Sequence, residues 1–172
     1  MPRKVLVLHE ALRGAGIGHA FGGALALAYY AEPRPTTDVD LNVFLPPAEW
    51  PRLREELRPL GVDVDGKGPD GDELRVRWDR LRLHFFFSSD RLHEAMEAAA
   101  REVPLGGGTV PILAAEHLVV RKALLDRGKD WVDIAAIAAS TPLDLNEVER
   151  WLRELAGPGD ERTGRVRALA RR

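Results

Sequence analysis

The stretch Gly22-Gly23-Ala24-Leu25-Ala26-Leu27-Ala28-Tyr29-Tyr30, continuing through Arg34-Pro35-Thr36-Thr37-Asp38-Val39-Asp40-Leu41, decides how this chain is read. A Gly-Gly turn opens a segment rich in strong helix formers. Pro33 and Pro35 then force an extended connection, and two aspartates one residue apart begin an apolar strand. Residues two apart in a strand share a face, so Asp38 and Asp40 project side by side while Val39 and Leu41 enter the core. Two adjacent carboxylates repel, and a hard divalent cation between them relieves the repulsion. Mg²⁺ is commonly held by one or two carboxylates plus substrate phosphate oxygens. Upstream, unpaired amides and the helix dipole at Gly22-Gly23 favour a polyphosphate. The two halves together imply phosphoryl or nucleotidyl transfer.

Outward from this stretch, the N-terminal side predicts a helix over 4–12, from Val5, Leu6, Leu8 and Leu12, ended by Gly14 and Gly16, then a short strand over 17–21. The helix former run predicts a helix over 24–30 and the aspartates a strand over 38–45. Pro46 and Pro47 stop that strand before an amphipathic helix over 48–60, with Trp50, Leu53, Leu57 and Leu60 near one face. Alternation over 74–78 and 81–87 predicts a β-hairpin turning at Asp79-Arg80, although that pair is not a favoured turn. Ser89 or Asp90 caps a helix expected to run to about Arg101. A brief strand over 109–113 follows Gly106-Gly107-Gly108, and Pro111 is expected to confine it to a sheet edge. Helical patterns fill 114–125, 130–139 and 144–155, the last opened by Asp144 and Glu147, and an Arg-rich helix follows Pro158. Strands first and helices second predict an α+β fold. Its small mixed sheet is flanked by helices in a core of residues 1–113, with a C-terminal helical bundle over 114–172 packed on it.

A length of 172 residues suffices for one well-packed core. The 25 basic and 27 acidic residues nearly cancel, so net charge announces no nucleic-acid partner, although the last dozen residues carry five arginines against one glutamate. With no cysteine, disulfide frameworks and thiolate metal sites are excluded. No segment reaches the roughly 18 apolar residues of a membrane span, so the expectation is a soluble, cytoplasmic protein.

Gly22-Gly23, Arg34, Thr36, Asp38 and Asp40, in this order, resemble the Gly-[Gly/Ser] … Arg-x-[Ser/Thr]-x-Asp-x-Asp signature of the polymerase-β-like nucleotidyltransferases, particularly the AbiEii-type toxin group and its mycobacterial tRNA-modifying relatives. A second block, Ala115-Glu116-His117-Leu118-Val119-Val120-Arg121-Lys122 through Lys129-Asp130-Trp131-Val132-Asp133-Ile134, looks like that group's second motif. The resemblance implies a nucleotidyltransferase sheet and transfer of a nucleoside monophosphate from an NTP to an acceptor hydroxyl. It further implies Mg²⁺ or Mn²⁺ on Asp38 and Asp40, and nucleotide contacts from Gly22, Gly23, Arg34, Thr36 and Lys122. Asp130 is implied as an essential acidic residue, a tRNA 3′ end as acceptor, and a cognate antitoxin as partner. The residues themselves place Asp130 and Asp133 three apart on one helical face. That spacing equally suits a solvated helix start.

The chain departs from the family pattern at the strand expected to supply a third carboxylate. It reads Arg82-Leu83-His84-Phe85-Phe86, with His84 on the face of Arg82 and Phe86. A neutral imidazole can ligate a metal or take a proton near neutral pH, so His84 stands as a base or a metal ligand. It equally suits a weakened activity or an ordinary hairpin histidine. If the hairpin turns at Asp79-Arg80, Arg77 faces Arg82 and Arg75 faces His84, a basic face suited to triphosphate or RNA. Arg162, Arg165, Arg167, Arg171 and Arg172 are either a second basic surface or a solvated helix. His9, His19, His93 and His117 are scattered singly and read as surface or core. Gly-x-Ser-x-Gly, His-Glu-x-x-His and a Walker lysine are absent, which removes the hydrolase, metalloprotease and P-loop classes. Three readings remain: transfer to tRNA, transfer to a small molecule or protein, and a non-catalytic nucleotide- or partner-binding domain.

Overall fold

A computed structural model of the chain describes residues 1–170. Arg171 and Arg172, included in the basic-tail reading, lie outside the described residues. Six strands, β1 (His19–Phe21), β2 (Asp38–Val43), β3 (Glu73–Trp78), β4 (Leu81–Phe87), β5 (Arg101–Leu105) and β6 (Gly108–Ile112), form one mixed sheet in the order β3-β4-β2-β1-β6-β5. Helices α1 (Pro2–Gly14), α2 (Gly23–Leu27), α3 (Trp50–Leu57) and α4 (Arg91–Ala98) are interspersed with the strands. Helices α5 (Ala115–Leu125), α6 (Gly128–Ser140), α7 (Leu145–Ala156) and α8 (Glu161–Ala170) follow them. The fold is α+β, as expected. Contacts divide the chain into two compact units, one of Met1–Leu25 with Pro35–Leu113, the other of Ala26–Arg34 with the residues from Ala114 onward.

In the first unit the alternation in the strands sorts the two sheet faces. Val39, Leu41 and Val43 of β2, Leu83, Phe85 and Phe87 of β4, and Leu74, Val76 and Trp78 of β3 are all buried. Burying each such side chain is worth roughly 1.5–3 kcal/mol, which makes this face the driving force of the unit. Helix α1 is tied to this side: His9 Nδ1 lies 2.9 Å from His19 Nε2, and Lys4 Nζ reaches the Trp78 carbonyl at 3.0 Å. The four isolated histidines are core residues, 1–7% exposed.

The hairpin of β3 and β4 turns at Asp79-Arg80 as expected, with Arg77 opposite Arg82 and Arg75 opposite His84. Asp79 accepts a left-handed φ of 54°, and Lys4 Nζ holds its carboxylate at 2.6 Å. Aspartate is among the non-glycine residues that tolerate this region, which lets the pair turn. The expected helix over 48–60 is divided: 3₁₀ turns flank α3 on both sides, with Pro51 and Pro59 as the second residue after each junction. Helix α2 is shorter than the composition predicts, because Tyr29, Tyr30 and Ala31 close turns on Ala26 and Leu27 instead of extending it.

Two expectations are corrected at the other end of the sheet. Helix α4, capped by the Asp90 side chain on the His93 amide, stops at Ala98, and Arg101 begins β5. Strand β6 is not the edge. It lies between β1 and β5, and its ladder to β1 is confined to the residues past Pro111, where Phe21 pairs with Ile112 and the Leu113 amide donates to the Phe21 carbonyl. The proline therefore need not supply an amide to that ladder.

In the second unit the helices are built as the sequence predicts. Asp144 caps α7 by accepting from the Asn146 and Glu147 amides at 3.0 and 3.2 Å. The basic tail is tied within this unit: Arg162 pairs with Asp160, the Arg165 guanidinium lies 4.0 Å from the Trp131 ring centre, and Arg167 forks onto Glu149. Each of these arginines has an acidic or aromatic partner within the unit, while Arg165 and Arg167 keep 55% and 44% of their side chains exposed.

Candidate active site

The polar face of the sheet gathers the aspartate pair. Strand parity puts Asp38, Asp40 and Asn42 on one face of β2, and the parallel register sets Asp38 beside Arg82 and Asp40 beside His84. The Thr36 hydroxyl accepts from the Asp38 amide at 3.0 Å, so this side chain shapes the entry to the strand. Arg82 donates from Nε to Asp38 Oδ1 and reaches the Thr37 hydroxyl at 3.3 Å. The opposed arginines Arg77 and Arg82 are thus separated electrostatically by a carboxylate that takes one of them.

The glycine pair is built against the second aspartate. Gly22 N–H donates to the Asp40 carbonyl at 2.9 Å, carrying the β1 to β2 ladder one residue beyond Phe21. Gly23 then turns with φ at +54°, and a Cβ placed on it would overlap the Asp40 carboxylate, 2.7 Å from its Cγ. A Cβ on Gly22 would press on Asn42 Nδ2 at 3.2 Å. Only glycine lets the backbone turn approach the carboxylate this closely.

His84 is held from two sides. Its Nε2 is 3.0 Å from Glu73 Oε2 and its Nδ1 is 3.5 Å from Asp40 Oδ1, with the Phe86 ring packed at 4.0 Å between centres. Glu73 also accepts from Arg75 at 2.7 Å. His84 is 18% exposed at its side chain, Asp40 30% and Asp38 42%, so the carboxylates remain within reach of a solute while the imidazole is largely packed away.

The donor set fits a divalent cation through its two aspartates. Asp40 presents its carboxylate to a bare Cα on one side and, among the described residues, to no cation nearer than the imidazole. Among the described residues no group of three His, Cys, Asp or Glu side chains could enclose an ion. A metal here would therefore rest on Asp38, Asp40 and oxygens brought by a substrate, with His84 Nε2 already committed to Glu73.

The second sequence block folds into an ion network in the other unit. Lys122, 4% exposed on α5, lies 2.6 Å from Asp133 and 3.8 Å from Asp130, which α6 presents one turn apart. Arg34 forks onto Asp133 at 3.0 and 3.2 Å, and Arg127 forks onto Asp130 at 2.6 and 3.2 Å. Burial alone would raise the Asp133 pKa, but the hydrogen bonds from Arg34 and Lys122 hold it below the ordinary carboxylate range. Asp130 and Asp133 are buried, so the reading of a merely solvated helix start does not hold.

Sequence reasoning missed Glu73 and Asn42. Both were within reach of strand parity: Glu73 lies two residues before Arg75 on the hairpin face, and Asn42 two after Asp40.

No protein-family model matches the chain, and no curated protein matches it. Solved structures do. The chain aligns with ANT(2″)-Ia in complex with adenylyl-2″-tobramycin at 16% identity and a TM-score of 0.58, over 99% of this chain and 96% of that one. An antigenic nucleotidyltransferase-like protein from Paracoccidioides brasiliensis matches at 18% identity and 0.58, over 97% and 92%. The lincomycin-bound lincosamide antibiotic adenylyltransferase LnuA matches at 10% identity and 0.57, over 81% and 97%. The chain therefore has the nucleotidyltransferase fold.

Proposed function

We propose that the protein is a metal-dependent nucleotidyltransferase that moves a nucleoside monophosphate from an NTP to an acceptor hydroxyl and releases pyrophosphate. The observation that carries this reading is the seating of Gly23 against Asp40, where a Cβ would collide with the carboxylate, so that the helix-opening turn and the aspartate strand are built directly against one another. Asp38 and Asp40 are the residues to hold Mg²⁺ or Mn²⁺, which when bound offsets charge on the phosphates and fixes their orientation. The amides around Gly22 and Gly23 receive phosphate oxygens, and Thr36 keeps the aspartate strand at its entry angle. In this reading His84 takes the acceptor proton. In this reading Lys122 and Asp130 act with Arg34 by holding α5 and α6 in place, since their charges are already matched to one another.

The finer identity of the acceptor has two supports that point differently. The motif resemblance supports a tRNA 3′ end and a toxin role with a cognate antitoxin. The pairing of Arg82 with Asp38 and of Arg75 with Glu73 reduces the free basic surface an RNA backbone would use, and supports a small-molecule hydroxyl. No helix of the described residues is long and apolar enough to cross a membrane.

Incubation with each labelled NTP, Mg²⁺ or Mn²⁺, and either total tRNA or a panel of hydroxylated aminoglycosides, beside an Asp40→Asn control, tests the reading. Label transferred to one acceptor class by the unmodified protein alone is the expected result and names the acceptor. Equal labelling by a folded Asp40→Asn protein sinks the two-carboxylate assignment.

A further inference from the structure

The end of the sheet beside the aspartates carries a cavity that the motifs do not mark. It is open to solvent, about 460 Å³ in volume, and lies where β2 and β4 begin: Thr36 and Thr37 line it directly before Asp38, and Arg80 and Leu81 line it directly before Arg82. Met1 and Lys4 close it from the start of α1. Its size suits a small ligand or one unit of a larger one.

The walls are tied to the aspartate strand. The Thr36 hydroxyl accepts from the Asp38 amide at 3.0 Å, the Thr37 carbonyl accepts from the Arg82 amide at 3.1 Å, and Arg82 Nη2 donates to the Thr37 hydroxyl at 3.3 Å. A solute seated here is therefore registered against Asp38. Leu81 and Met1 make the lining apolar, and Lys4 adds its methylene stem while its ammonium is spent on Asp79 at 2.6 Å and on the Trp78 carbonyl at 3.0 Å. That pair also occupies Asp79, the carboxylate of the lining. Arg80 differs from its neighbours: Arg75 and Arg82 are matched to Glu73 and Asp38, whereas the exposed Arg80 makes no ion pair among the described residues. An apolar wall beside one unmatched planar cation is suited to an anion with an apolar body.

Position gives the cavity a side in the reaction. In phosphoryl transfer the attacking and leaving oxygens stand roughly in line. The glycine turn follows β1, on one side of β2, and the cavity extends from the start of β2 to the hairpin turn beyond β4, on the other. With the triphosphate on the amides of Gly22 and Gly23, pyrophosphate leaves on the β1 side and the acceptor approaches from the β4 side.

We propose that this cavity is the acceptor subsite and that the acceptor is anionic, its charged group on Arg80 and its apolar body against Met1 and Leu81. The proposal rests on the transferase reading and chooses, within it, an anionic acceptor over a cationic one such as an aminoglycoside.

Methyl ¹H–¹³C shifts of Met1, Thr37 and Leu81 in the full chain, titrated with adenosine 5′-monophosphate, a short oligoribonucleotide or tobramycin, read the cavity without reference to turnover. Shifts with an anionic probe and none with tobramycin are expected; shifts with both anions assign a free nucleotide-sized ligand, and shifts with the oligonucleotide alone assign a chain end. Arg80→Ala, at an exposed turn position, should keep the unfolding midpoint and weaken this binding by about 10-fold. In transfer assays the same variant should raise KM for the acceptor by a similar factor with kcat and KM for NTP unchanged, and Arg80→Lys should recover part of the loss. Absence of shifts with both anions, shifts with tobramycin, undiminished anion binding in folded Arg80→Ala, or an equal rise in KM for NTP overturns the proposal. If the unmodified protein transfers no nucleotide to any acceptor, the transferase reading fails and the acceptor role with it, whereas the shift titration still decides whether the cavity takes an anion through Arg80.

Discussion

The aspartates of the sheet and those of the helical unit occupy opposite physical settings. Asp38 and Asp40 stand on a sheet face with side chains 42% and 30% exposed, one holding an arginine and the other facing an imidazole at 3.5 Å. Asp130 and Asp133 are buried at 1% and 4%, and three cationic side chains, Lys122, Arg34 and Arg127, are arrayed round them at hydrogen-bonding distance. Both pairs belong to motifs that look chemical in the sequence. Their surroundings differ: the exposed pair stands where a solute can reach it, with Asp38 already paired to Arg82, and the buried pair is matched to cations within the helical unit.

Breaking the buried pair should have the largest effect on stability. Lys122→Ala leaves two carboxylates enclosed without their shared cation, and a loss of about 3–5 kcal/mol is expected in denaturant unfolding. The Lys122→Met, Asp133→Leu double variant, which removes charge from both sides, should lose much less. A Lys122→Ala protein as stable as the parent would show that the network is solvated in practice. On the sheet, by contrast, Asp40→Asn should leave the unfolding midpoint nearly unchanged.

Acid provides a second contrast, because it acts on the first unit through its core. Burial, against a hydrogen bond to the Ile17 carbonyl, holds His19 down to about 4, while a free imidazole titrates near 6.5. The unfolded chain therefore binds a proton that the folded chain refuses between these values. Stability is full above about pH 6.5 and falls as pH drops toward 4, by about 3 kcal/mol from this group. Burial lowers His117 in the second unit as well, in the same direction. Unfolding free energy measured across pH 4–7 should show the slope, and His19→Gln should flatten part of it.

Smaller still is the expected stability cost of Gly23→Ala, about 1–2 kcal/mol for its left-handed backbone. Its effect on transfer should be far greater, since the new methyl must displace the Asp40 carboxylate. Equal losses in the melting temperature and in kcat/KM would remove the special link between this turn and the site. The smallest change is expected for Arg82→Ala: the pair with Asp38 is exposed, so at most about 1 kcal/mol is at stake, measurable as a small shift in thermal unfolding.

Much of the fold was legible because its rules are local. The alternation of β3 and β4 gave their register through the turn, and Asp144 marked the start of α7 through its own side chain. Strand β5 escaped because Arg101-Glu102-Val103-Pro104-Leu105 has no buried residue, charges at its start and a proline within it. These features keep an edge strand from pairing further, and they also erase the hydrophobic alternation that would announce it. At the site, the face shared by Asp38 and Asp40 followed from parity, whereas the placing of His84 beside Asp40 came with the parallel pairing of β2 and β4. The engagement of His84 by Glu73 was not legible either, because it depends on where two long-range strand pairings converge.

By itself the sequence determined which side chains share a face, where turns and caps fall, and that thiolate chemistry is absent, because period, φ preference and composition act within a few residues. Tertiary structure alone decided that β2, β3 and β4 bring Asp40, Glu73 and His84 together, that Gly23 must stay bare against Asp40, and that Lys122 is spent on Asp130 and Asp133. Those outcomes depend on register and close packing between segments far apart in the chain, and charge has a different worth on an exposed sheet face than between buried helices.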